Sequence, residues 1–359
     1  EDRIERIKEE LVEREKDALI VTGGAYVQYL SGFHARSDPQ TLQTYPMVVV
    51  PVEGEAVLLV SRLDRDAAEG ETEIPLEVPE NGFVNSALDH VKGEEVIVPE
   101  SMTVSIHDRI AEEVQVKADV EFLQDMRSVK DRREAKTIEE AYQITEDVVG
   151  KVKGEMGGER EKDIAAEIEY RMRLQGAETT SFPSLVESGV RTASPHRPPT
   201  DTVVEEGPVL LDVGAQVLGY CADFSRTFHL GQPSSEFEEV YRTVLKAQRA
   251  AIERIGPGTP VVEVDEAARS VIEESGYGED FPHSTGHGVG LTVHEQPNLS
   301  PRADEEDELE SGMIITVEPG IYLEGKFGVR VEDAFLVTDS GMERLTELPR
   351  DLESQVIEV

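Results

Sequence analysis

LLDVGAQVLGYCADFS, residues 210–225, decides how this chain is read. Two aspartates, Asp212 and Asp223, stand in otherwise apolar runs around a segment that turns back on itself. A carboxylate in an apolar strand must be paired, hydrogen-bonded or bound to a metal. Read as a hairpin with its turn centred between Val217 and Leu218, the two acids oppose each other directly. Opposed residues of an antiparallel pair share a face, with Cα atoms about 4.5–5.5 Å apart. A cation between two such like charges removes their repulsion.

The same arithmetic recurs in ITVEPGIYLEGKFGVRVED, residues 315–333. Glu318 and Glu332 flank Gly325 symmetrically, and Glu324-Gly325-Lys326 reads as a three-residue turn, with Pro319-Gly320 a possible bulge. A third segment, HSTGHGVGLTVHE at 283–295, carries His283, His287 and His294 among three glycines. A lone histidine is usually a structural one, but three in a glycine-rich segment favour a site. His294-Glu295 lacks the second histidine of HExxH, and no GxSxG elbow appears. Asp212, Asp223, His287, Glu318 and Glu332 thus form a carboxylate-rich set suited to hard or borderline divalent ions. Two-ion sites of this kind activate water for hydrolysis.

Composition narrows the function further. The 359 residues suffice for two domains. Lys plus Arg number 35 against 75 Asp plus Glu, a net charge of −40. That balance disfavours nucleic acid and anionic membranes, and it reads as a surface adapted to high salt. Cys221 is the one cysteine, so no intrachain disulfide forms, and it reads as a small core residue. No run of 18 apolar residues and no secretory signal is seen, so a cytoplasmic enzyme is the expectation.

Along the chain, residues 1–125 alternate helix and strand. Strands are expected at DALIV (17–21), YPMVVVP (45–51), EAVLLV (55–60), EEVIVPE (94–100) and DVEFL (119–123), giving a small α/β domain. Gly23-Gly24 lacks the GxGxxG pattern, so a nucleotide site is disfavoured. Beyond a boundary near 124–131, residues 126–359 segregate strands from helices, an α+β domain with a mostly antiparallel sheet. Helices are expected at 132–155, 159–174, 235–254 and 261–275. His196 lies in a proline-rich loop, ASPHRPPTD, and His229 ends a strand. His34, His90 and His107 lack metal-like spacing. The acidic run ADEEDELE (303–310) reads as a solvated loop and helix.

With these residues in view, the segment from about 130 to 350 resembles the pita-bread metallopeptidases, which include the Xaa-Pro peptidases and methionine aminopeptidases. The leading domain, including AYVQYLSGF (25–33), resembles the amino-terminal domain of the Xaa-Pro branch and of creatinase. The resemblance implies a creatinase-like α/β domain followed by a pita-bread catalytic domain. It implies that Asp212 binds one metal, that Asp223 and Glu332 bridge two, and that His287 and Glu318 complete the second. Glu318 would also accept and return the proton, His294 would steady the oxyanion, and His283 would assist nearby. His196 matches a loop histidine that closes over substrate, and Arg330 would pair with acids around the cage. The ions implied are Mn²⁺ or Co²⁺ first, then Fe²⁺ or Zn²⁺.

The activity implied is hydrolysis before proline, as a dipeptidase (prolidase) or as an aminopeptidase P on longer peptides. Arg302, in QPNLSPRAD (296–304), is the cation available to hold a substrate carboxylate. A creatinase-like metal-free C–N hydrolase or a non-catalytic binding protein would be expected to have lost part of the cage. A homodimer is implied, with His34 to Asp38 reaching the partner's site.

Overall fold

The computed structural model describes residues 2–35 and 46–358. The chain divides into two compact units, Glu1–Arg127 and Ser128–Val359.

The first unit is a mixed six-stranded sheet with helices. In chain order it comprises α1 (Asp2–Glu13), β1 (Ala18–Thr22), α2 (Gly24–Ser31), β2 (Met47–Pro51), β3 (Val57–Leu59), α3 (Arg65–Glu71) and β4 (Leu76–Glu77). It continues with α4 (Phe83–Asp89), β5 (Glu95–Val98), α5 (Val104–Ala111), β6 (Gln115–Ala118) and α6 (Glu121–Ser128). The sheet order is β4-β3-β2-β1-β5-β6. β1 is buried along its whole length, which explains its unbroken apolar run. Ile4, Ile7 and Leu11, spaced as one helical face, are buried. The structure corrects one expected strand. DVEFL is not a strand; β6 precedes it, and Phe122, Leu123 and Met126 bury the face of a helix instead. The alternation of Val120 with Phe122 mimicked a strand over too short a window. Residue 45 and residues 36–38, on which two expectations fall, lie outside the described residues.

In the second unit α7 (Arg132–Val152) starts at a capping box. Asp131 accepts from the backbone of Arg133 and Glu134, while Glu134 accepts from Asp131 N. There follow α8 (Glu161–Leu174), β7 (Thr179–Thr180), β8 (Leu185–Ser188), β9 (Gly207–Val213), β10 (Ala215–Val217), β11 (Tyr220–Cys221) and β12 (Phe224–Leu230). Then come α9 (Ser235–Ile252), α10 (Val261–Glu274), β13 (Gly286–Gly288), β14 (Glu295–Leu299) and β15 (Ile314–Val317). The chain ends with β16 (Gly320–Leu323), β17 (Phe327–Arg330), β18 (Asp333–Thr338), β19 (Gly341–Arg344), α11 (Leu352–Gln355) and β20 (Val356–Ile357). The larger sheets are β20-β12-β9-β8 and β14-β13-β15-β18-β19, and an isolated bridge ties Arg226 of β12 to Val331, which lies between β17 and β18. Pairing is antiparallel throughout this unit except between β12 and β20. One apolar core lies among α7, α8 and β9–β12, and another between α9–α10 and β15–β18.

The first carboxylate hairpin is shifted from its expected register. Asp212 pairs with Ser225, and Val217 with Tyr220. The turn therefore falls on Leu218-Gly219, whose φ values of 46° and 79° are those of a type I′ turn. Gly219 sets this position, because the second turn residue must take a positive φ. Asp223 is thus the diagonal neighbour of Asp212 on one face rather than its opposite. The second hairpin keeps its expected register: Gly320 pairs with Arg330, Leu323 with Phe327 and Val317 with Asp333. The proline-glycine pair causes no slip, but Glu318 and Glu332 leave each other's ladder. Their backbone N–H groups bond Thr285 O and Ser225 O. The 303–310 run forms turns and no helix. No helix among the described residues is long and apolar enough to cross a membrane.

Candidate metal centre

Four strand-end positions and one mid-strand position deliver the five cage residues to one place. Asp212 lies near the end of β9, and Asp223 follows β11. Glu318 separates β15 from β16, Glu332 separates β17 from β18, and His287 is the middle residue of β13. Gly286 and Gly288 flank it because a Cβ at either would collide with backbone, at Thr316 O or Gln296 O.

Three overlapping groups result: Asp212, Asp223 and Glu332; His287, Glu318 and Glu332; Asp223, His287 and His294. Within each, one ligand atom per residue lies within 4.8 Å of the others. Asp223 and Glu332 each belong to two groups and link the Asp212 end to the His287 end. Asp212 Oδ1, both Glu332 oxygens and His287 Nε2 are buried without a hydrogen-bond partner among the described residues. Nε2 stands 3.3 Å from Glu318 Oε1 and 3.4 Å from Asp223 Oδ2, close in charge but not aligned for a hydrogen bond. Buried oxygens are rarely left so. His287 Nδ1 lies 3.0 Å from Gly288 O. As the donor there it fixes the tautomer and leaves the Nε2 lone pair for an ion. Donor set and orphaned atoms both fit divalent metal.

The electrostatics agree. Burial pushes the Asp212 carboxyl up to about 7, against the pull of Arg330 and with help from Asp223 and Glu318. Burial, then the charges of Asp223, Glu318 and Asp212, hold Glu332 well above the ordinary carboxylate range. Burial also works against ionised Glu318, yet the adjacent His287 ring, itself held cationic without metal, brings it down to about 2. Without added positive charge the cage holds protons; cations would replace them.

A second layer braces the cage. Arg330, buried, donates to Asp212 Oδ2 (2.7 Å), Ser225 Oγ (2.8 Å) and the Tyr322 hydroxyl (2.9 Å). Tyr322 OH, accepting from Arg330, donates in turn to His283 Nε2 at 2.9 Å, while His283 Nδ1 faces Ser284 O at 2.8 Å. Both His283 nitrogens are therefore engaged. Buried Asp265 accepts from Thr285 N and Oγ1 and from Arg269, which also donates to His283 O. This anchors the approach to His287.

Of the remaining candidates, His294 adjoins the cage. His294 is exposed, edge-on to His287 with ring centroids 4.4 Å apart. Partial desolvation of the ring against the cage, then the charge of His287, lowers its pKa, and His196 adds to the same effect. His196 itself is exposed with φ +72°. Arg302 sits exposed in a turn, where its backbone N–H bonds Ser300 Oγ. Among the described residues no bond joins it to the cage. His229 caps its own strand, with Nδ1 on Gly231 O. Cys221 is buried.

Sequence reasoning missed Tyr322, Ser225, Asp265 and Glu187. Tyr322 had a signal, since the period of β16 places it on one face with Gly320. Asp265 sits on an amphipathic helix among other acids and had none.

Residues 136–339 match metallopeptidase family M24, and residues 3–129 match the creatinase/prolidase N-terminal domain. The chain is 36% identical over 361 residues to an Xaa-Pro dipeptidase of Pyrococcus horikoshii, covering 98% of each. Its fold is similar to the crystal structure of the prolidase from Pyrococcus horikoshii (TM-score 0.91, 34% identity, 98% and 100% coverage). It is also similar to that of the X-Pro aminopeptidase from Thermotoga maritima (TM-score 0.86, 33% identity, 99% and 100% coverage). The likeness spans both units and includes the segments that build the cage, so the chain is a metallopeptidase of family M24 with a creatinase/prolidase N-terminal domain.

Proposed function

We propose that the protein is a two-metal Xaa-Pro dipeptidase, hydrolysing the bond before proline. The observation that carries this is the convergence of five ligand side chains, four of them buried, with orphaned oxygens, in a chain aligned end to end with an Xaa-Pro dipeptidase. Asp212, Asp223, His287, Glu318 and Glu332 would hold two divalent ions, Mn²⁺ or Co²⁺ first and Fe²⁺ or Zn²⁺ next. Bound ions supply Lewis acidity and a nucleophilic water at neutral pH.

The chain's own residues do the rest. Glu318, held ionised beside His287, accepts a proton from the attacking water and returns it to the departing nitrogen. His294, exposed at the cage edge, faces the scissile carbonyl and steadies the oxyanion. Arg330 favours the ionised form of Asp212 and orients it, and His283 locks Arg330 through Tyr322. His196 closes over the substrate. Arg302 is the cation offered to the substrate carboxylate. An Xaa-Pro amide has no N–H and a fixed φ, so it needs a site that grips neither.

Aminopeptidase P activity is the second reading, favoured by the comparable likeness to an X-Pro aminopeptidase. We further propose domains at 1–125 and 126–359, a cytoplasmic location and a homodimer in which the first domain covers the partner's site. A substrate panel tests the function. The Mn²⁺- and Co²⁺-loaded protein should cleave Ala-Pro faster than Ala-Pro-Yaa tripeptides and leave Gly-Leu intact. Preference for tripeptides would select the second reading, and cleavage of Gly-Leu but not Ala-Pro would sink both.

A further inference from the structure

His196 sits on a segment with few means of holding its own shape. Ser194-Pro195-His196-Arg197-Pro198-Pro199 contains three prolines, so only three of its residues carry an amide hydrogen. His196 also takes a φ of +72°, a region that L-residues rarely adopt unless their surroundings impose it.

Two fully buried carboxylates surround this segment. Glu161 on α8 ties its ends together. One oxygen accepts from Ser188 N and Oγ (both 2.9 Å) and from Arg191 Nε (3.0 Å); the other accepts from Thr200 N (3.0 Å) and Oγ1 (2.7 Å). Arg191 adds a bond from Nη2 to Pro198 O at 2.9 Å. Glu187 on β8 holds the middle: its Oε1 accepts from Arg197 N, the residue after His196, at 2.9 Å. Its Oε2 is buried without a hydrogen-bond partner among the described residues.

The position of Glu187 in the sheet links this grip to the cage. β8 pairs with β9 so that Leu185 faces Asp212 and Glu187 faces Leu210. Residues two apart share a face, so Glu187 lies on the face that bears Asp212. A residue needed only to fill space there would be apolar, as Val186 and Leu211 are on the other face. A carboxyl at zero exposure carries a desolvation cost that packing alone does not offset. Burial pushes its pKa up to about 7. The neutral acid keeps a carbonyl oxygen for Arg197 N–H, and glutamine would supply the same acceptor.

We propose that Glu187 is a positioning residue that holds His196 over the metal cage by gripping the Arg197 amide. The part assigned to His196 rests on the Xaa-Pro peptidase reading above. The grip itself does not.

The full-length, Mn²⁺-loaded protein carries the test. Hydrogen exchange is followed in peptides spanning 194–199, with kcat and KM for Ala-Pro measured alongside, in Glu187→Ala, Glu187→Gln, His196→Ala and the Glu187→Ala/His196→Ala double variant. Glu187→Leu keeps the bulk without the acceptor and replaces Glu187→Ala should that variant fail to fold. Loss of the acceptor should speed exchange at Arg197 at least about tenfold and raise KM about tenfold with a smaller change in kcat. Glu187→Gln should restore both to within about twofold, and the double variant should be no worse than His196→Ala. Wild-type exchange at Arg197 in Glu187→Ala would overturn the proposal. So would a Glu187→Gln variant as impaired as Glu187→Ala, or additive losses in the double variant. If the wild-type protein cleaves no Xaa-Pro dipeptide, the functional reading fails, and the exchange rates still decide whether Glu187 holds the loop.

Discussion

Asp223 and Glu332 each stand in two of the three ligand groups, so neutralising either opens both halves of the cage. Asp223→Asn and Glu332→Gln should each lower kcat on Ala-Pro by at least about 10³-fold in saturating Mn²⁺, with bound metal falling below the wild-type ratio. Wild-type turnover in either variant would remove the bridging role. Glu187 gives a prediction of another kind. Its carboxyl titrates near 7 when folded, against an ordinary value of 4.5. Between those values the unfolded chain releases a proton that the folded chain keeps, so the stability this group contributes falls as pH rises from 4.5 to 7. A glutamine has no such loss. The melting temperature of Glu187→Gln minus that of wild type should therefore rise between pH 5 and pH 8, by about 2–4 °C. A difference that stays flat or shrinks would show that Glu187 ionises as readily folded as unfolded. The cage residues were legible because an acid or histidine in an apolar strand stands out. Those that brace them were not, since Tyr322 in a strand and Asp265 on a helix look like ordinary members of their elements.

At the scale of elements, turn chemistry decided which registers could be read. Gly325, with φ +72°, sits at the centre of its three-residue loop, and the symmetric reading around it gave the correct pairing of Gly320 with Arg330. In the first hairpin the only glycine in the turn is Gly219, and placing it as the second residue of a type I′ turn would have moved the centre by one residue. Symmetry about the two aspartates ignores φ at Gly219 and so makes an opposed pair of two residues that lie diagonally. Leu218 still carries the cost of a positive φ, at 46°. Asn tolerates that region far better. Leu218→Asn should stabilise the protein by about 0.5–1 kcal/mol without altering metal content, read as a raised midpoint in urea unfolding. A lowered midpoint would mean that Leu218, half exposed, contributes more through packing than it costs in backbone strain. DVEFL failed for a related reason: a short apolar alternation fits strand and helix alike, and only the burial of Phe122, Leu123 and Met126 chooses the helix.

For the whole molecule the dominant number is the net charge of −40. Many of these acids face water, as Asp304 to Glu308 do in an unbroken exposed run. Their mutual repulsion opposes the compact state, and salt weakens it as the Debye length falls from about 10 Å at 0.1 M to about 3 Å at 1 M. The expected result is a melting temperature that climbs as KCl is raised from 0.05 M to 2 M. The shape of the curve identifies the cause. Screening acts mostly at low concentration, so the rise should be steep below about 0.3 M and shallow beyond it. A uniform rise to 2 M would point instead to a general strengthening of apolar burial, which needs no unusual charge. Converting a block of exposed glutamates to glutamine separates the two further, because it should flatten the steep part and leave the shallow part in place. A protein that loses stability as salt is added would not be salt-adapted, whatever its composition. Its acids would then be stabilising the fold through the attractive ion pairs that salt screens, such as those of Arg160 and Arg171 on α8 and the segment before it.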